Sequence, residues 1–432
     1  MATASDQTGQ LNSSDYLFNY LILTTSDGNV VDIKGLVVEL NLYEDMFSPV
    51  MTGDMLMGDA LDLISSYGMH GNEWLQLSID KPSLNSPIVK TFRIYKIGDR
   101  TLGSNGLQNY RVHFCSEELF ISTQNLVSKS YKGMAISDIV TDLLTNKLQV
   151  QTSKINQIDP TSGVCDIIIP RMSALEAISW LAPRSYGPNK NLWLFFENRD
   201  GFNFVAYETL LQNPMYQIYT YNVTLGTDNT KNINTFLVLN VVQDFDLLKV
   251  TRAGAFSSTL ATYDIVSRAF KIMNFNVTSL ANNAILNNYL PANQMTNRLG
   301  QSVYNTDGNM IKFAITTDAD PTFNPARLER WLPQTISRLG QLNTFKLIGV
   351  IPGDIQLKVG MIVGVAMPKQ EIQDSTLSND PYRTGRFIVS SVHHKFVNDI
   401  ASTVIELLSD SVSSPLPTPS TGSPTLQQLV QQ

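Results

Sequence analysis

Two cysteines in 432 residues, Cys115 and Cys165, are too few for a disulfide framework. They fit a protein made in a reducing compartment. Charge is scarce as well, at 16% of the chain, against about 25% in an ordinary soluble domain. The 31 basic and 38 acidic residues leave a net charge of −7. There is no Lys/Arg run to neutralise phosphates, which argues against a protein that wraps nucleic acid. No stretch reaches about 18 uninterrupted apolar residues, so no spanning helix is expected. The first residues, MATASDQTGQLNSSD, have neither a basic n-region nor an apolar h-region, and no signal peptide is read there. Also missing are G-x-S-x-G, a P-loop, and a G-x-G-x-x-G behind a strand.

What is present is 43% hydrophobic residues, enough for real cores, with Asn, Ser, Thr and Gln in place of charge. A surface short of charge repels its neighbours weakly, so permanent assembly is one reading; a monomer with a neutral polar surface is the other. At roughly 100–200 residues per domain, the length suggests about three domains.

From Tyr16 to about Gln124 the pattern is β. YLFNYLIL (16–23) and VVDIKGLVVEL (30–40) flank the turn signal Ser26-Asp27-Gly28-Asn29. WLQLSI (74–79), TFRIYKIG (91–98) and YRVHFC (110–115) follow, as in a barrel or sandwich. Near residue 125 the character changes. Ile136, Ile139, Val140, Leu143 and Leu144 line one face of a helix over 134–148. Ser173 and Glu176 form a capping box for a second helix, with Pro183 as its stop. NLWLFFENRDGFNFVAY (191–207) reads as a hairpin turning at Asp200-Gly201.

β character returns over 237–256. Residues 257–335 give few elements, and the helical run 326–342 carries Pro333, which should kink or split it. Strands follow over 344–368, 385–396 and 401–410 around the turn Pro352-Gly353-Asp354. The end, 411–432, is a Ser/Pro/Thr-rich linker with an apolar tip, Leu426, Leu429 and Val430.

Candidate chemistry is thin. His393 and His394 are neighbours on a strand and point to opposite faces, so they cannot share an ion. His113 and Cys115 share a face but lack a third ligand. DADPTFNPARLE (318–329) puts Asp318, Asp320, Thr322, Asn324 and Glu329 at calcium-loop spacing, yet Phe323 stands where the turn wants Gly, and Pro321 precedes it. In NLYEDMFSPVMTGDMLMGD (41–59), Asp54 and Asp59 differ by an odd step, and Glu44 and Asp45 are adjacent, so neither pair converges. Asp45 and Ser48 read as backbone hydrogen-bonders shaping a turn that Pro49 ends. No metal, cofactor or catalytic residue is expected.

The run V-x-L-N-L-Y-E-D-M-F-S-P-V-M-T-G-D-M-L-M-G-D (38–59) with G-N-E-W-L-Q-L (71–77) resembles the N-terminal domain of baseplate hub proteins from contractile-tailed bacteriophages. R-M-S-A-L-E-A-I-S-W-L (171–181) fits the same family. I-P-G-D-I-Q-L-K-V-G-M-I-V (351–363), G-R-F-I-V-S-S-V-H-H-K-F (385–396) and T-V-I-E-L-L-S-D (403–410) are similar to its C-terminal β part.

The resemblance implies a mainly β fold with α+β insertions and two tube-like β-barrel domains per chain. On that reading 1–15 is a lead-in, 16–124 the first barrel and 125–230 an α+β domain. Residues 231–256 with 336–410 form the second barrel, 257–335 an inserted domain and 411–432 a tail. It further implies a structural virion protein, assembled in the host cytoplasm and placed in the tail baseplate. There a homotrimer would form a pseudo-sixfold ring between the tail tube protein and the central spike protein, contacting neighbouring baseplate proteins. DNA or a tape-measure protein would pass through its lumen without specific binding during genome ejection, and acids lining that lumen would repel phosphate. The alternatives are the base of a type VI secretion or other contractile-injection spike and, further off, a glycan hydrolase. Tyr43, Glu44, Asp45, Met46, Phe47 and Pro49, read as an exposed edge of the first barrel, are the candidate protein interface.

Overall fold

Alternating apolar residues near both ends of the chain fold as antiparallel strands in the computed structural model. It describes residues 15–81, 87–103, 106–221, 234–244, 246–277, 285–290, 310–316, 328–342, 344–369, 379–397 and 400–415. The calcium-like residues 318–327 and the tail tip Leu426, Leu429 and Val430 lie outside them.

The N-terminal strands are β1 (Leu17–Thr24), β2 (Val30–Asp32), β3 (Val37–Asp45), β4 (Thr52–Asp59), β5 (Trp74–Asp80), β6 (Ile88–Leu102) and β7 (Gln108–Cys115). The single run expected over 30–40 is two strands, because a 3-10 turn at Lys34–Leu36 separates β2 from β3. A middle unit holds β8 (Leu126–Met134), β9 (Ile155–Ile158), β10 (Cys165–Ser173), β11 (Trp193–Asn198) and β12 (Gly201–Ala206). After it come β13 (Met215–Tyr221), β14 (Thr235–Phe236) and β15 (Val238–Asp244), then an inserted sheet, β16 (Ser257–Asp264), β17 (Phe270–Asn276) and β18 (Ile311–Thr316). The C-terminal strands are β19 (Phe345–Pro352), β20 (Ile362–Ala366), β21 (Gly385–Val397) and β22 (Ile400–Ser409).

The fold is mainly β, and its longest helix among the described residues is Leu328–Leu342. Among the described residues its largest sheet has 14 strands and contains two rings. In the first, neighbours run β3-β4-β7-β6-β5-β1. The tip of the β21–β22 hairpin completes the circuit: β21 pairs β3 from Ser391 to Val397, and Ile400 bridges Asp15. Phe396 on that tip is buried in the first core and meets Tyr16 at 4.9 Å between ring centroids. In the second ring, β13-β20-β21-β22-β19 is closed by residues 235–244. β14 pairs β13 there, β15 pairs β19, and Leu237 N donates to Val350 O at 2.7 Å between them. Gly349 is needed at this seam, because a Cβ would lie 2.3 Å from the Phe236 ring. One long hairpin thus belongs to both rings, and β13 falls in the second.

The middle helices follow the apolar spacing. Ile136–Asp142 continues as a π-turn over Leu143–Lys147, and all five predicted face residues are buried. Ser173 and Glu176 make the reciprocal cap of Ala174–Leu181, and Pro183 sits in the 3-10 turn that follows. Two expectations are corrected. Strand character over 237–256 stops at Asp244, because Asp246 accepts from Lys249 N at 2.9 Å and starts the helix Leu247–Arg252. Pro333 does not split its helix, which runs from Leu328 to Leu342. Contacts beyond the proline hold that helix: Thr335 Oγ1 donates to Asn191 O at 3.2 Å, and Arg338 Nε to Glu208 Oε1 at 3.2 Å.

Candidate functional site

The acidic turn between β3 and β4 is built by its own side chains. Asp45 Oδ1 accepts from Phe47 N at 2.7 Å, Ser48 N donates to Asp45 O at 3.1 Å, and Ser48 Oγ donates to Val50 O at 3.1 Å. Asp45 and Ser48 are therefore the local backbone partners that the sequence predicts. The turn is also fastened to the rest of the protein. Met46 N donates to Ser390 O at 2.8 Å, and its side chain is buried in the second core. Met51 N donates to Glu197 Oε2 at 3.0 Å.

Glu44 lies wholly inside. Its Oε1 accepts from Arg199 N at 2.9 Å and its Oε2 from Val359 N at 3.1 Å. One carboxylate therefore ties β3 to the β11–β12 turn and to the loop before β20. Burial pushes it up to about 7, against the pull of those two N–H donors and of Lys90 and Arg199. Glu197, the acceptor at the far end of the same turn, is likewise raised by burial, opposed by Lys90 at 3.4 Å. The remaining acids have separate partners. Burial works against the charge of Asp54, but hydrogen bonds from Tyr43 (2.8 Å), Asn41 (3.2 Å) and Arg111 outweigh it and hold the carboxyl below the usual range. Asp59 accepts from Leu61 N, Leu63 N and Tyr110 Oη at 2.7, 2.8 and 3.0 Å.

Of the six candidate interface residues, Glu44 and Met46 are interior, Tyr43, Asp45 and Pro49 are half-buried, and Phe47 is 54% exposed. The expected exposed edge is corrected in this respect: β3 is hydrogen-bonded on both sides, to β4 and β21, and of the six residues only Phe47 in the turn is exposed. His393 and His394 do diverge. His393 Nε2 meets Asn41 Oδ1 at 2.8 Å and its ring lies 4.6 Å from Tyr43; His394 is buried against Thr403 Oγ1 at 3.1 Å, and burial lowers it to about 3. Burial pushes the Cys115 thiol up to about 12 and that of Cys165 to about 11, so neither is a ready nucleophile at neutral pH. Among the described residues no three His, Cys, Asp or Glu side chains group as metal ligands. No helix among them is long and apolar enough to cross a membrane.

A cavity of about 440 Å³ opens beside β15, lined in part by Tyr221, Leu239, Val241 and Met367. Its one cation, among the lining residues, is Arg383, which is already held by Asp244 (Nε, 3.0 Å) and Asp380 (Nη1, 2.8 Å).

Sequence reasoning misses two features. Glu197 announces itself only as a lone acid in the apolar strand WLFFEN. The inserted sheet escapes it because the surrounding residues are rich in Asn and Thr, although IKFAIT (311–316) alternates cleanly.

No protein-family model matches this sequence, and no curated protein does. Solved structures match its fold. The tail protein from Neisseria meningitidis MC58 superposes with a TM-score of 0.55 at 14% identity, over 93% of this chain and 98% of that one. The 43 kDa tail protein of prophage MuSo2 from Shewanella oneidensis gives 0.53 at 8% identity, over 92% and 99%. The E. coli c3393 protein, a type VI secretion component, gives 0.45 at 9% identity, over 88% and 76%. The chain thus has the fold of tail proteins along nearly its whole length, in agreement with the baseplate-hub resemblance of its sequence.

Proposed function

We propose that this protein is a structural component of a phage tail baseplate, a homotrimeric hub without enzymatic activity. The observation that carries the reading is the pair of strand rings fused through one shared hairpin. Three such chains about one axis supply six ring units. That number matches a sixfold tail tube on one side and a threefold spike on the other. The like fold of two tail proteins supports the same role. Low charge suits permanent contacts between copies. A net charge of −7 suits a conduit that DNA or a tape-measure protein crosses without adhering. The exposed Phe47 turn is a contact to a neighbouring subunit or to the tube.

Native mass spectrometry of the purified protein, or a reconstruction of the tail, tests the reading. Three copies on one threefold axis are expected. Six equivalent copies would make it a tube protein and end the hub assignment.

A further inference from the structure

The inserted sheet has two unlike faces. β16 lies between β17 and β18, and the register aligns Ala261 with Ile272 and Phe313, and Tyr263 with Phe270 and Ile315. Alternation along each strand puts these residues, with Ile311, on one face. The opposite face carries Leu260, Thr262 and Lys271 and packs toward the helix Leu328–Leu342, where Thr262 Oγ1 donates to Glu329 Oε1 at 3.2 Å. Both lysines of the sheet, Lys271 and Lys312, align with Thr262 and Leu260 and so share that inner side.

The outer face therefore holds no charge, yet it lies open. Phe313 is 78% exposed, Ile315 70%, Ile272 and Ile311 63%, with Phe270 and Tyr263 about half exposed. At about 150–250 Å² for a large side chain, the six present roughly 600–700 Å² of apolar surface. The largest patch on an ordinary monomer is about 300–600 Å². One side of a standard protein–protein interface buries about 800 Å².

We infer that this face is a self-association surface, covered by the same face of further copies of this chain. Area is the first reason, since the patch comes close to what each partner of a stable interface must bury. Chemistry is the second. An uncharged apolar β face is covered by the same face of other copies where those faces converge on a shared symmetry axis. Interface cores are depleted of charge, and interfaces between like subunits are more apolar than ordinary protein surface. The inference rests on the hub reading only for the number of copies; that copies meet here stands on the face itself.

Sedimentation velocity on the full chain, comparing wild type with Phe313→Glu and Ile315→Lys, is the test. Wild type should sediment as an oligomer. Each variant should weaken self-association at least about a hundredfold and should still fold, because these side chains are exposed in the single chain. In Ile315→Cys, a short bismaleimide should link copies to each other, since Cys115 and Cys165 are buried. Variants that stay oligomeric and an introduced thiol that fails to cross-link would overturn the inference while leaving the hub standing on another interface. A wild type that is monomeric at every concentration, or that covers this face only with a different protein, would overturn it as well, and the monomer would take the trimeric hub with it.

Discussion

Around Glu44, charged groups lie inside the protein with both carboxylate oxygens engaged by backbone N–H groups. On the outer face of the inserted sheet, large apolar groups lie outside, in contact with solvent. The acidic turn resembles chemistry in the sequence and is structural glue. The inserted sheet reads as filler and carries a broad run of exposed apolar side chains. A buried carboxylate with a backbone N–H on each oxygen is already engaged within the fold, whereas an exposed apolar face still has its burial free energy to gain. Function in an assembly protein is therefore found where interactions are incomplete.

The largest loss is expected from another buried charge. Arg338 is fully buried, 3.2 Å from Glu208 and 3.9 Å from Asp410, and joins the inserted part's helix to the middle unit and to the end of β22. Arg338→Ala strands two buried carboxylates, and a loss of about 3–5 kcal/mol is expected. Chemical denaturation measures it; a loss below about 1 kcal/mol would show that water already screens the cluster.

Next in size is the pH dependence of the Glu44 joint. Its folded-state value, raised by burial to about 7, lies above that of the unfolded chain, about 4.5. The folded protein then holds the extra proton, so the contribution of Glu44 is fully present below pH 4.5 and is lost as pH rises through 7. The difference is on the order of 3 kcal/mol. Glu44→Gln should lack that component of the slope, so its stability relative to wild type should rise between these pH values. Parallel stability–pH curves would mean that the two N–H donors cancel the effect of burial.

The two faces of the inserted sheet offer a third comparison. Leu260 is buried on the inner face and Phe313 exposed on the outer. In the chain diluted to the monomer, Leu260→Ala should cost about 2 kcal/mol or more of that unit's stability, while Phe313→Ala should stay within about 0.5 kcal/mol. Hydrogen exchange over β16–β18 reads both. Equal protection losses would show that the outer face is packed in the isolated chain.

Much of this fold was legible because its signals are local. The capping box at Ser173, the hairpin read at Asp200-Gly201 and the five-residue face from Ile136 to Leu144 depend on neighbours within a few positions, and each formed, the hairpin with its turn one residue earlier, at Arg199-Asp200. The Asp45–Ser48 turn was readable for the same reason. What could not be read depends on distant partners. Glu44 is interior because residues 155 and 315 positions away donate to it. The shared hairpin depends on β21 pairing with β3 from the other end of the chain. Pro333 is tolerated because the residues after it are anchored on the middle unit, whereas its local effect was all the sequence could convey.

The smallest expected effect on stability concerns the one part of the acidic turn that does reach the surface. Phe47 is half exposed, and its backbone is held by Asp45 whatever side chain it carries. Phe47→Ala should leave unfolding within about 0.5 kcal/mol of wild type. Asp45→Ala, by contrast, removes the acceptor of Phe47 N and should loosen the turn by about 1 kcal/mol, the usual value of such a bond. If the turn contacts a neighbour, both variants should enter tails less well than wild type, and Phe47→Ala should do so without any change in melting. That combination separates a contact from a fold defect. Normal assembly of both variants would assign the turn a purely internal role.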